Sequence, residues 1–160
     1  LNRTKMNQTY IHLLMNHIPV VGTVFALLVL LYGIYKRSYH TQRAAYFLLL
    51  VAAIGSGITF FTGEGAEEFV ENWAGFSKSA IEDHEDVGKL AWLSMLLVAI
   101  GATGALILMK KKSDLYRSYS YIMVLIVAIS IAVSAYAGFL GGKIRHTEIH
   151  STQQDVQESD

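Results

Sequence analysis

The sequence has no cysteine and only one proline, Pro19, among its 160 residues. Without cysteine the chain has no disulfide, zinc–thiolate site, iron–sulfur cluster or c-type haem attachment, so any cofactor must be held by His, Met, Asp or Glu. The sequence also lacks a glycine-rich phosphate loop, an HExxH motif and a basic patch of the kind that binds nucleic acid. These absences disfavour a stand-alone enzyme and a nucleic-acid partner.

Charge is missing from four long stretches, at residues 20–35, 44–61, 90–109 and 121–140. The hydrophobic residues make up 52% of the chain, and the mean hydropathy is +0.36. Three of the stretches approach or exceed the roughly 18–20 residues that cross about 30 Å of hydrocarbon, and the first does so once the uncharged turn from Tyr10 is included. None of them alternates with the period of a strand.

The sequence therefore predicts an all-α fold, a four-transmembrane-helix bundle in contact with the lipid bilayer. We expect the helices at about 11–35, 44–62, 79–110 and 115–142. They form a single membrane domain, residues 1–146, and residues 147–160 are expected to be a polar disordered tail.

Basic residues predict the orientation of the bundle. Seven of the 13 lysine and arginine residues fall in two short loops, at 36–43 and 110–117, and twelve of the 13 acidic residues lie elsewhere. Because short basic loops stay in the cytoplasm, we expect both termini outside, in a bacterial inner membrane.

The second loop is expected to carry a short amphipathic helix of its own. In EGAEEFVENWAGF, residues 64–76, the apolar residues Phe69, Val70 and Trp73 recur at helical spacing among glutamates. Such a segment is predicted to lie at the membrane interface. Ser79, with a glutamate three residues later, then forms a capping box that begins the third long helix before the membrane.

Four of the six histidines gather at the outer side of the predicted bundle, namely His12, His17, His84 and His146. One interfacial histidine would be an ordinary surface residue, but convergence from three helices indicates a shared ligand. His17 lies about one turn inside the apolar boundary, where an ionisable side chain usually has a partner. Gly88 and Gly142 follow one turn inward from His84 and His146, and missing side chains there leave room for a flat macrocycle. Small residues also pack membrane helices closely, which is the plainer explanation.

The stretch from His12 to Pro19, HLLMNHIP, resembles the H-P-x-x-x-H-F-P opening of a family of small four-helix bacterial membrane proteins, uncharacterised or cytochrome b-like. The histidine near the start of the third helix and Gly141-Gly142-x-x-x-His146 are similar to that family as well. Leu13 replaces the family's proline, and the acid-rich second loop departs from its pattern. The resemblance implies haem b held by two histidines.

Two accounts explain the acids that surround His84 in EDHED, residues 82–86. In the first, His84 is an axial haem ligand whose second ring N–H is accepted by a neighbouring carboxylate. We expect His17 as its partner, with His146 as the substitute and His12 allowing a second haem. In the second account, Glu64, Glu68 and Glu85 join the histidines as ligands for zinc, iron or copper.

A third account assigns the acids only to topology and solubility, with no cofactor. The four segments show neither the buried charge nor the broken helices expected of a transporter. We therefore expect a small cytochrome b-like electron-transfer protein or accessory subunit of a respiratory or redox membrane complex. Its haem would lie near the outer face. Its partners would be other membrane subunits, and quinone is a candidate electron donor or acceptor. The alternative is a structural subunit with a His/Glu metal site or no cofactor.

Overall fold

A computed structural model describes residues 3–71, 78–111 and 115–145 of the chain. These ranges are helical, with short turns between the helices. The helices are α1 (Arg3–Met15), a π-helix (Ile18–Gly22), α2 (Thr23–Tyr35), α3 (Tyr39–Glu71), α4 (Lys78–Lys110) and α5 (Leu115–Arg145).

Four segments are long and apolar enough to cross a membrane, in agreement with the predicted integral membrane character. The first segment, Gln8–Tyr35, joins most of α1, the π-helix and α2 into one path, and the others are Tyr39–Gly63, Lys78–Lys110 and Leu115–Ile144. No strand occurs within the described ranges. For the described residues, the prediction of an all-helical fold with four helices long and apolar enough to span a membrane is therefore confirmed.

Large apolar side chains cover the outside of the bundle. Phe47, Leu97 and Leu125 are each more than 60% exposed, as suits contact with lipid chains. The interior contains many small residues, such as Ala45, Ala102 and Ala105, all essentially fully buried. Small residues let helix backbones approach, which drives helix association where lipid is as apolar as the side chains.

The helix α3 occupies the centre of the arrangement. It packs along α1 and α2 on one side and along α4 on the other, and α5 packs against α4 and α2. We call the end that holds the start of α4 and the end of α5 the histidine end. The opposite end, with the turns from α2 to α3 and from α4 to α5, is the basic end.

The π-helix lies where the only proline interrupts the first segment. Pro19 has no N–H to donate, so the regular hydrogen-bond ladder of an α-helix cannot continue through it. The Thr23 hydroxyl donates to the Pro19 carbonyl and lies 3.7 Å from the Met95 sulfur of α4. This inserted turn sets the rotation of α1 relative to α2.

The second loop differs in part from the expectation. α3 continues through Glu71, so the first half of the predicted loop helix is the end of α3 itself. Residues 72–77, including Trp73, lie outside the described residues, as do the tail and His146. The interfacial placement of this segment and the orientation of the termini stay predictions.

Candidate cofactor site at the histidine end

His12 is held against α3. Its ring is half-buried, and Nδ1 lies 2.9 Å from the backbone oxygen of Thr59. A carbonyl oxygen only accepts, so Nδ1 carries the proton and the Nε2 of the neutral ring keeps its lone pair. Gly63, one turn further along α3, lies beside the ring, and a Cβ there would be at an ordinary contact distance of 3.6 Å from His12 Cε1.

His84 is held in the same manner by a different pair of helices. Its Nδ1 lies 2.9 Å from the backbone oxygen of Ala137 on α5, which again leaves Nε2 with its lone pair. A Cβ on Gly141, one turn beyond Ala137, would lie 3.0 Å from His84 Cε1, closer than side chains normally pack. His12 and His84 are therefore each oriented by a carbonyl of a neighbouring helix, and the His84 ring is also closely confined by a glycine.

The rings of His12 and His84 form a T-shaped pair. Their centroids are 6.5 Å apart and their planes are nearly perpendicular, at 87°. With about 2.0–2.1 Å from a metal to each imidazole nitrogen, and about 1.2 Å from that nitrogen to the ring centre, two trans imidazole ligands have centroids about 6.4 Å apart. The observed separation matches that of two histidines on opposite sides of one metal ion.

The backbone carbonyls take the role that we expected of carboxylates. Glu82, Asp83, Glu85 and Asp86 are exposed on α4, and Glu85 and Asp86 pair with Lys89 at 2.8 and 3.4 Å. The second N–H of His84 goes instead to Ala137, because His84 faces α5 while the acids face away from it. Hydrogen bonding of that N–H to a backbone carbonyl fixes tautomer and ring orientation just as a carboxylate would.

Two buried polar atoms near the histidines have no hydrogen-bond partner within the described part of the chain. They are Asn16 Oδ1, four residues after His12, and Ser134 Oγ, three residues before Ala137. A buried oxygen without a partner is costly, and most such atoms in proteins bond to a ligand or to water. Their position inward of both rings suits a bound polar or macrocyclic group.

The glycines differ from the prediction in their detail. Gly88 and Gly142 have nothing within 4 Å of a Cβ placed on them, so they border open space. The glycine in close contact with a histidine ring is Gly141, next to the predicted Gly142. The role of Gly88 and Gly142 at a cofactor stays a prediction.

The remaining predicted ligands are not brought together by the described residues. His17 is exposed, and the side chains of Glu64 and Glu68, like His146, lie outside what the structure describes. In the described ranges no group of three or more His, Cys, Asp or Glu side chains could hold a metal ion. The described donors are the two imidazoles of His12 and His84.

Comparison of the chain with protein-family models, with curated proteins and with solved structures finds no match. The resemblance of HLLMNHIP to the cytochrome b-like family therefore has no support from these comparisons. The geometry of His12 and His84 is what supports a function for this chain.

Proposed function

We propose that this protein is a small membrane cytochrome b-like electron-transfer protein or accessory subunit, with haem b between His12 and His84. The observation that carries the proposal is the T-shaped pair of imidazoles, each oriented by a backbone carbonyl, with centroids 6.5 Å apart. Both rings present an Nε2 lone pair, which is the form that binds iron.

The number of donors favours haem over an isolated metal ion. A structural zinc site needs four protein ligands, and the described residues supply two imidazoles. A haem macrocycle would supply the other iron ligands itself, so His12 and His84 would be the protein side chains needed to hold it. Haem held in this manner supplies reversible one-electron transfer.

The residues of the chain would hold and orient this group. Thr59 and Ala137 fix the two imidazole rings, and the hydrogen bonds make the ligating nitrogens more basic. Gly88 and Gly142 have open space where a Cβ would be, and Asn16 and Ser134 offer polar atoms that have no other described partner. Binding of the group in this arrangement would need no acidic or catalytic side chain.

The wider setting is part of the same proposal. With the two basic loops in the cytoplasm, the histidine end would lie outside in a bacterial inner membrane. Electrons would then be exchanged near the outer face with other membrane subunits or with quinone. The second candidate is a structural subunit with zinc, iron or copper on the histidines, completed by His146, Glu64 or Glu68.

The test is an absorbance spectrum of protein purified from its native membrane, with iron measured in the same sample. We expect sharp Soret and α bands on dithionite reduction. His12→Ala and His84→Ala should abolish or shift the bands, while His17→Ala and His40→Ala, both exposed positions, should leave them unchanged.

Two results would count against the proposal. Protein without iron and without a Soret band is not a haem protein, and zinc or copper lost on changing His84 would favour the second candidate. If the bands vanish in His17→Ala and persist in His12→Ala, the haem proposal stands but the ligand pair is the one expected from sequence.

A further inference from the structure

The basic end of the bundle contains a cavity that the proposed cofactor does not use. Its volume is about 240 Å³, and it lies between α2, α3 and α5, lined by Ile34, Arg37, Gln42, Tyr116, Arg117 and Tyr121. From His12 to Ile34 the first segment rises about 1.5 Å per residue, so about 33 Å separate the cavity from the histidines. The cavity therefore belongs to a second, independent site.

Arg37 occupies a backbone position that normally favours glycine. Its φ is 49°, and it is the only non-glycine residue with positive φ in the described ranges. Hydrogen bonds from Arg37 N to Ile34 O and from Ser38 N to Gly33 O form the Schellman motif that ends α2. Glycine would fit this motif with less strain. Arg37 lines the cavity with its side chain although its backbone conformation is unfavourable for a residue other than glycine.

The cavity has a fixed polar floor. Gln42 is 4% exposed, and its Nε2 donates to the Gly33 carbonyl. Ser120 accepts from the Tyr46 hydroxyl at 2.8 Å and donates to Gln42 Oε1 at 3.0 Å. This buried network holds the Gln42 amide rigidly, and a primary amide carries two N–H donors, of which Gly33 uses one.

The charge at this end is mostly positive. The loops at 36–43 and 110–117 hold seven basic residues, and Asp114 is the only acid between residues 87 and 147. Two of these basic residues, Arg37 and Arg117, come from different loops and meet at one cavity. Guanidinium groups bind phosphate oxygens in pairs, with two parallel hydrogen bonds from each fork.

We propose that this cavity binds the phosphate headgroup of an anionic phospholipid. The cavity lies at the end of the membrane-spanning segments and opens beside apolar residues of the lipid-facing surface. Leu31 on α2 and Tyr121 and Leu125 on α5 are 42%, 65% and 63% exposed. These residues would carry the acyl chains, while Arg37, Arg117 and Gln42 hold the phosphate. Basic sites between membrane helices are where anionic headgroups bind.

The test measures lipid binding to detergent-purified full-length protein by native mass spectrometry and by the melting temperature after delipidation. The probes are phosphatidylglycerol, phosphatidylcholine and inorganic phosphate. We expect phosphatidylglycerol to bind and raise the melting temperature, and the other two to do so far less. Arg37→Gly and Arg117→Gln should each weaken the binding about tenfold, the effect of losing one charge-assisted contact.

Matched controls come from the same loops. Lys36→Gln and Lys111→Gln remove the same charge at exposed positions that do not line the cavity, and they should change the affinity less than about twofold, as for screened charges. Arg37→Gly also relieves the positive φ, so its lipid-free melting temperature should not fall. A loss of lipid binding in this variant then reports the lost guanidinium and not unfolding.

Three outcomes would overturn the proposal. Equal losses in Lys36→Gln and Arg37→Gly would mean diffuse attraction without a site. Equal binding of phosphatidylcholine would remove the preference for an anionic headgroup. Stabilisation by inorganic phosphate alone, lost in Arg37→Gly, would assign the cavity to a free anion and not to a lipid.

Discussion

The ring of His84 lies against Gly141, where a Cβ would be only 3.0 Å from His84 Cε1. No side chain larger than hydrogen fits between this ring and α5 unless the ring moves. The position of His84 therefore depends on one missing methyl group on the neighbouring helix.

Gly141→Ala tests this dependence. The new methyl group should push the His84 ring away from Ala137 and lengthen its hydrogen bond, so the absorbance bands of the purified protein should shift or weaken. Gly138→Ala is the matched control, because nothing lies within 4 Å of a Cβ at that position. Identical spectra for the two variants would show that the ring is not confined by α5.

Ser134→Ala tests the hydroxyl that has no described partner. In cofactor-free protein the change should leave the free energy of unfolding unaltered or raise it by up to about 1 kcal/mol, because an unsatisfied buried hydroxyl is removed. Ser130→Ala, which breaks the 2.8 Å contact with Ser94, should lower it by about 0.6 kcal/mol. Circular dichroism during unfolding in detergent gives the free energy of unfolding of both variants. An equal decrease in that free energy for the two variants would mean that Ser134 has a protein partner.

Deletion of Val21 tests the π-helix. A π-helical turn holds one residue more than an α-helical turn, so removing one residue from Ile18–Gly22 should restore α-helical spacing and leave the rotation of α1 nearly unchanged. His12 would stay at the Thr59 carbonyl, and we expect the absorbance bands to be retained. One alanine inserted after Val21 should instead rotate α1 by about 100°, the turn of one residue, and abolish the bands. Val21→Ala keeps the chain length at an exposed position and should retain them. Loss of the bands in the deletion variant, with normal bands in the insertion variant, would show that the π-helix does not hold the extra residue of this segment.

The orientation can be tested by cysteine labelling, since the chain has no cysteine of its own. Single cysteines at Ser38 and Ser113, in the basic loops, should resist an impermeant thiol reagent in whole cells. A cysteine at Ser77, in the second loop, should react. The reverse pattern would place the histidine end in the cytoplasm.

The four spans could be predicted from sequence because uncharged stretches of this length have few other uses. The proposed ligand pair, His12 and His84, could not be predicted from sequence. His12 and His17 are five residues apart, which is about 140° around a helix, so they face different neighbours. In a membrane helix apolar residues cover every side, and no amphipathic pattern marks the inner face. His17 looked deeper along the chain, yet its side chain is exposed and His12 faces α3.

Part of the site did leave a signal in the sequence. Gly63 and Gly141 each stand opposite a histidine ring, and each follows the residue with the anchoring carbonyl by four positions. Pairing them with His12 and His84 needs the helix registers, which come from the whole packing and not from one segment. The same holds for the cavity at Arg37, whose second arginine is 80 residues away in the sequence.

The hydrogen bond from His84 reaches Ala137, 53 residues further along the chain. At about 5–20 residues per second, a ribosome needs about 3–10 s to add that length. A nascent chain that has inserted only its first three spanning segments holds His84 without its acceptor or the glycine that seats its ring. The pair of imidazoles is thus completed only when the last helix enters the bilayer, so loading of this site would come after translation.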